Sequence, residues 1–206
     1  FSSLSKERQD LLTWLAEEKQ PEKERISATI RLARLHEASL KSDEADRLLA
    51  TLAAEYPEIP AIASEQLRLK IMRKKGKISE QDVVEAISAI DEKYRLGSVT
   101  TTLQTLIAGE NIREASLLVA QLERENSNIR ANGWIDPELK SVVDVQLAFA
   151  RIAMHRGGEQ GKNFDSKLRS LISDAFAALR ADVHLEKKSF ESLWKMLRAM
   201  QDEQAT

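Results

Sequence analysis

The stretch ASLKSDEADRLLATLAAEYPEI, residues 38–59, lies without a gap on AGENIREASLLVAQLERENSNI, residues 108–129, 70 positions later. Eight of the 22 positions are identical, among them Glu44 with Glu114, Ala45 with Ala115, Leu48 with Leu118, Leu52 with Leu122 and Ile59 with Ile129. A repeat of this size is one supersecondary unit that cannot bury its apolar face alone, so copies must stack on one another. The offset is twice 35, which calls for one more unit between the two. At half the offset Leu48, Leu49 and Leu52 fall on Val83, Val84 and Ile87, and Ala45 on Glu80. The apolar face survives in this middle copy while the rest has drifted.

The units are helical. Seven glycines and four prolines in 206 residues, against roughly 12% in an ordinary domain, leave few sites for tight turns between strands. Start and stop signals divide the chain into helices at about 4–19, 22–40, 43–56, 60–75, 79–96, 98–109, 111–127, 136–156, 164–182 and 186–203. Ser42 or Asp43 is expected to cap the third, Pro57 and Pro60 separate it from the fourth, and SEQD at 79–82 opens the fifth. Gly97 is expected to close that fifth helix. Asp136 before Pro137 opens the eighth, and His155, Arg156, Gly157 and Gly158 close it. Phe164, Leu168, Leu171, Ile172, Ala175, Phe176 and Leu179 form one helical stripe, repeated in the last helix as Phe190, Leu193, Trp194, Leu197 and Met200.

A period of 35 resembles the tetratricopeptide repeat, a family of helix hairpins of about 34 residues. Leu32 and Ala33 stand where the family has a large residue before a small one, and His36 takes the aromatic place a turn later. Ala45, Leu49, Leu52 and Pro57 match the second helix and its closing proline. The resemblance covers about residues 26–130, and its third copy has Leu103 in place of the small residue and no closing proline. It implies an all-α fold, antiparallel helix hairpins stacked as an α-solenoid, with hairpins at 26–59, 60–96 and 97–130 and longer C-terminal helices over 135–206 as a cap, in one domain of residues 1–206.

In the resembled family the first helix of each hairpin lines a concave groove that takes a peptide or helix. Carried onto this chain, those places are Ser27, Ile30, Arg31 and Arg34, then Ile62, Glu65, Gln66, Leu69 and Arg73, then Thr100, Thr101, Gln104 and Ala108. The resemblance thus implies a partner-binding groove built on Arg31, Arg34, Glu65, Gln66, Arg73, Thr101 and Gln104, with three arginines as its cations. No Asn stands at these places, which speaks against a clamp for a terminal carboxylate. Trp134, in the polar turn RANGWIDP, either packs back on the helices or serves as a partner anchor. Trp14 and Trp194 lie on helical stripes and read as core.

Chemistry is harder to find. Six cations in RLKIMRKKGK, residues 68–77, could meet phosphates. No aromatic is interleaved for base stacking, and most crowd a helix end where the dipole favours positive charge. GGEQGKN at 157–163 lacks both the first glycine and the hydroxyl residue of a phosphate loop. His36 reads as a packed aromatic substitute, His155 as a helix-end cation and His184 as a loop residue, so no metal site is expected. Asp144 shares a solvent face with Lys140 and Arg151. Without cysteine, thiolate sites and cysteine nucleophiles are excluded. No catalytic residues, cofactor or metal are expected.

The balance of 31 basic and 33 acidic residues gives no global field toward nucleic acid or anionic membrane. VQLAFARIAM at 145–154, interrupted by Arg151, falls short of the roughly 18 apolar residues of a membrane span. A first residue of Phe1 is expected of a processed or trimmed chain whose leader would be missing, and the compartment is left open between the cytoplasm and a bacterial cell envelope. The reading is a non-enzymatic scaffold or adaptor that binds a peptide or helix of another protein, within a bacterial multiprotein assembly or a larger chain, or as a homo-oligomer. The alternatives are a nucleic-acid-binding helical protein using 68–77 and a helical-bundle enzyme.

Overall fold

The computed structural model describes residues 2–17, 19–128, 133–157 and 166–202. These residues are all-α, with ten α-helices and no strand. The helices are α1 (Ser2–Leu15), α2 (Glu22–Ala38), α3 (Ser42–Glu55), α4 (Pro60–Arg73), α5 (Glu80–Ser88), α6 (Glu92–Ala108), α7 (Ile112–Ser127), α8 (Lys140–Gly157), α9 (Ser166–Ala181) and α10 (Lys187–Asp202). None is long and apolar enough to cross a membrane. The predicted Ile129, Gly158 and Phe164, the polar start of RANGWIDP, GGEQGKN beyond Gly157 and the last residue of the 186–203 segment lie outside the described residues.

Ten helices were expected, and the sharpest difference is at Gly97. The fifth helix stops at Ser88, Asp91 caps the next by accepting the Lys93 N–H at 3.0 Å, and α6 runs straight through Gly97. Gly97 is a contact residue: a Cβ added there would stand 3.3 Å from Cγ of Pro60, the first residue of α4. Ser98, Thr102 and Ser64 continue this small-residue seam, with the Thr102 hydroxyl 3.0 Å from Ser64 Oγ and 2.8 Å from the Ser98 carbonyl. Short side chains let α4 and α6 lie close together, and the hydroxyls satisfy each other where water is excluded.

Other caps divide. The Ser79–Asp82 capping box forms, each residue bonding the other's backbone N–H. Asp136 accepts the Glu138 N–H at 2.9 Å, and Pro137 begins a single 3-10 turn, Pro137–Leu139, that leads into α8. At α3 neither Ser42 nor Asp43 caps; Lys41 holds that place without a side-chain bond.

Helix bounds and turns also correspond at the 70-residue offset. Helices α2 and α6 are both 17 residues long and start at 22 and 92, and α3 and α7 start at 42 and 112. The turns within the two pairs have the same backbone bonds. Ser39 N–H meets Leu35 O and Lys41 N–H meets His36 O in the first; Gly109 meets Thr105 and Asn111 meets Leu106 in the second. Both turns place their middle residue in the left-handed region, Leu40 at φ 58° and Glu110 at φ 57°.

Buried apolar residues fall into four clusters that follow the chain. Two join α2, α3 and α4 around Ala33, Ala45, Leu49 and Ile62. The largest spans α4 to α8 around Leu67, Val83, Val99, Leu118 and Leu147. The last joins α8, α9 and α10 around Ile152, Ile172, Phe176 and Leu197. Helix α8 serves two of them from separate stripes, Val143, Leu147 and Ala150 on one side, Val145, Ala148 and Ile152 on the other. Trp194 belongs to the last cluster, edge-on to Phe176 at 4.7 Å and stacked on Phe190 at 5.5 Å.

Candidate functional site

The three arginines expected to furnish a cationic groove are each engaged by the protein's own carboxylates. Arg31 of α2 pairs with Glu7 of α1. Arg34 reaches Glu65 of α4 through Nε at 3.0 Å and Nη2 at 2.8 Å. Arg68 closes on the same carboxylate from the other side at 3.0 and 2.5 Å. Glu65 is 3% exposed. Burial works against its charge, yet the bonds from Arg68 and Arg34 outweigh that and hold its pKa below the ordinary value. Arg73 is bidentate to Glu37 of α2 at 2.9 and 2.7 Å and to Asp46 of α3 at 2.9 and 3.0 Å. Those bonds raise the Arg73 pKa and lower that of Glu37. These are clamps between helices, with Arg34 and Glu65 brought together and Arg31 and Arg73 apart from them. Ile62 and Leu69, also expected in the groove, are core residues.

Gln66 lines a small cleft toward α3 and α5 with Tyr56 and Ile90, away from Glu65. Thr101 is half-buried and donates to the Gly97 carbonyl at 2.7 Å. Gln104 is exposed and stands with Thr100 and Ala108 on the wall of an apolar cleft of about 470 Å³. Leu103 and Ile107 of α6, Val145 and Phe149 of α8, and Leu185 and Leu193 from the α9–α10 turn and α10 supply its apolar surface. Thr100, Gln104, Gln146 and Asp182 supply the polar groups. Asp182 accepts from the Ser141 hydroxyl at 3.3 Å and the His184 N–H at 2.8 Å. The α8 and α10 side of this cleft went unread in the sequence. Its signal is the breadth of the α8 stripe: a helix apolar on both packed faces and also at Val142, Phe149 and Ala153 has more apolar surface than two neighbours need.

The basic stretch 68–77 is mostly spoken for. Besides Arg68 and Arg73, Lys74 bonds Asp82 at 2.5 Å and Lys75 bonds the Asn111 side chain at 2.8 Å. Lys74 holds the Asp82 carboxyl down at about 2. Trp134 is half-buried on the largest cluster, its ring 5.9 Å from the Arg95 guanidinium. Trp14, expected in the core, instead lines an open groove between α1 and α2. Asp144 takes Lys140 at 2.7 Å and Asn126 at 2.6 Å, while Arg151 turns to Glu123 of α7. Among the described residues no His and carboxylate groups gather in a metal-binding arrangement. Comparison with protein-family models, with curated proteins and with solved structures gave no match to this chain.

Proposed function

We propose that the chain is a non-enzymatic interaction scaffold, a tetratricopeptide-like array of helix pairs in one domain, which takes an amphipathic helix or peptide of a partner protein in the cleft between α6 and α8. The cleft carries this reading. Its volume of about 470 Å³ is roughly three times that of a cavity that holds one benzene ring, room for about three large apolar side chains. On α6 and α8 its lining runs from Thr100 to Ala108 and from Val142 to Ala153, about two to three helical turns at 1.5 Å per residue. A helix with apolar residues at i, i+4 and i+7 matches that length and volume.

The array reading is supported by the matching bounds and turns of the α2–α3 and α6–α7 pairs, by α4 lying along α6 past the intervening α5, and by the serial clusters. Because Arg31, Arg34 and Arg73 clamp helices, reversing their charge would test the fold and not the site. The test is affinity capture from the native source with wild type beside Phe149→Glu and Gln104→Lys, both checked for unchanged helicity. A protein recovered with wild type and lost with both variants supports the cleft. Equal recovery with all three removes it.

A further inference from the structure

At the 70-residue offset the counterpart of α5 begins at residue 10, within α1, and α1 is seated differently from α5. In the second pair α5 packs against α6 and α7, and Val83, Ala86 and Ile87 join the cluster that holds Leu106, Leu118 and Leu122. The turn before α5 is held as well: the Gly76 N–H meets Glu114 Oε1 at 3.2 Å, and Arg124 of α7 pairs with Glu80 at 2.9 Å. Shifted back by 70, the positions beneath α5 become His36, Glu44, Leu48 and Leu52. They line a groove of about 460 Å³ on α2 and α3. Helix α1 packs along α2 and reaches this groove only at its edge, through Leu12.

Exposure registers the difference in seating. Leu106, Glu114, Leu118 and Gln121 are all buried, whereas their counterparts His36, Glu44 and Leu48 are half-buried and Thr51 is exposed. Among the described residues Glu44 accepts no hydrogen bond such as Glu114 receives, and His36 Nδ1 is buried without a partner. We infer that this groove receives a short amphipathic helix of a partner protein, preceded by a tight turn and seated on α2 and α3 as α5 is seated on α6 and α7. The occupant carries apolar residues at the spacing of Ile78, Val83, Ala86 and Ile87, and a turn N–H meets Glu44. The inference rests on the 70-residue correspondence and not on the α6–α8 cleft, so Phe149→Glu leaves it untouched and the two fail separately.

The probe is a synthetic peptide of residues 75–90, KGKISEQDVVEAISAI, the segment that fills the equivalent place in this chain. It is titrated into the full chain with methyl and His ring resonances followed by NMR, beside a scrambled peptide of the same composition. Saturating shifts at Leu48, Leu52, Thr51 and His36 are expected, with a Kd of about 1 mM or tighter, and Leu48→Lys should weaken binding about tenfold. Thr51→Arg, at an exposed position on the same wall, replaces Leu48→Lys if that variant loses helicity. Resonances unmoved by the peptide, or moved equally by the scrambled one, overturn the inference. Self-association of the free chain that Leu48→Lys abolishes would assign the groove to a second copy and overturn it too.

Discussion

Leu40 and Glu110 hold left-handed backbone that an L side chain occupies at a cost and glycine does not. Leu40 is also 93% exposed, so removing its side chain loses no packing. Leu40→Gly and Glu110→Gly are each expected to raise stability by about 0.5–1 kcal/mol, the relief of strain exceeding the added freedom of the unfolded chain; urea midpoints would show it. His36 bears on pH. Burial, then Arg8 on α1 and Lys41 beside α3, depress its pKa, and Glu44 only partly opposes them. The folded state therefore binds the proton less readily than the unfolded state. Its stabilising effect is complete above the ordinary value of about 6.5 and is lost as pH falls from there through the depressed folded value. Melting temperatures of wild type should fall relative to His36→Leu between about pH 7 and 5; parallel curves would refute this. Glu65→Gln leaves two arginines facing a neutral buried group, and a loss of about 2 kcal/mol is expected, below the usual figure for a broken buried pair because Arg34 is 52% exposed.

At the scale of helices, Gly97 sets how closely α6 approaches α4. Glycine inside a helix ordinarily costs about 1 kcal/mol relative to alanine, but a Cβ here would meet Pro60 at 3.3 Å. Pro60 is exposed on its outer side and can give slightly, so Gly97→Ala is expected to be near neutral. Gly97→Leu cannot be accommodated without prising the helices apart, and a loss of about 2–3 kcal/mol is expected in thermal unfolding. Asp91→Ala removes the cap that starts α6 in place of the stop expected at Gly97; about 1 kcal/mol should be lost.

Across the whole molecule, contacts are made mainly between neighbouring helices and the clusters succeed one another, so damage at one end should be slow to reach the other. Phe176→Ala empties the centre of the α8–α10 cluster and removes the ring that Trp194 meets edge-on. A local loss of about 3–4 kcal/mol is expected. Amide hydrogen exchange should then quicken in α9 and α10 while α2 and α3 keep their protection. Uniform acceleration along the chain would show a single cooperative core instead.

The sequence by itself determined what depends on near neighbours: ten helices and no strand among the described residues, most of their ends, the Ser79 and Asp136 caps, and the apolar positions shared by 38–59 and 108–129. Periodicity and capping act within one or two turns, so one chain suffices to read them. The break at 89–91 was misplaced because glycine carries two meanings, a helix stop or a point of close approach, and only the neighbour at Pro60 decides between them. The fate of Arg31, Arg34 and Arg73 was likewise beyond one-dimensional reading. Their partners Glu7, Glu65, Glu37 and Asp46 come from other helices, and a cation that looks available along a helix is neutralised across the next. Tertiary structure alone decided where apolar surface is left over, since the α6–α8 cleft and the α2–α3 groove are each defined by the place where the next helix does not pack.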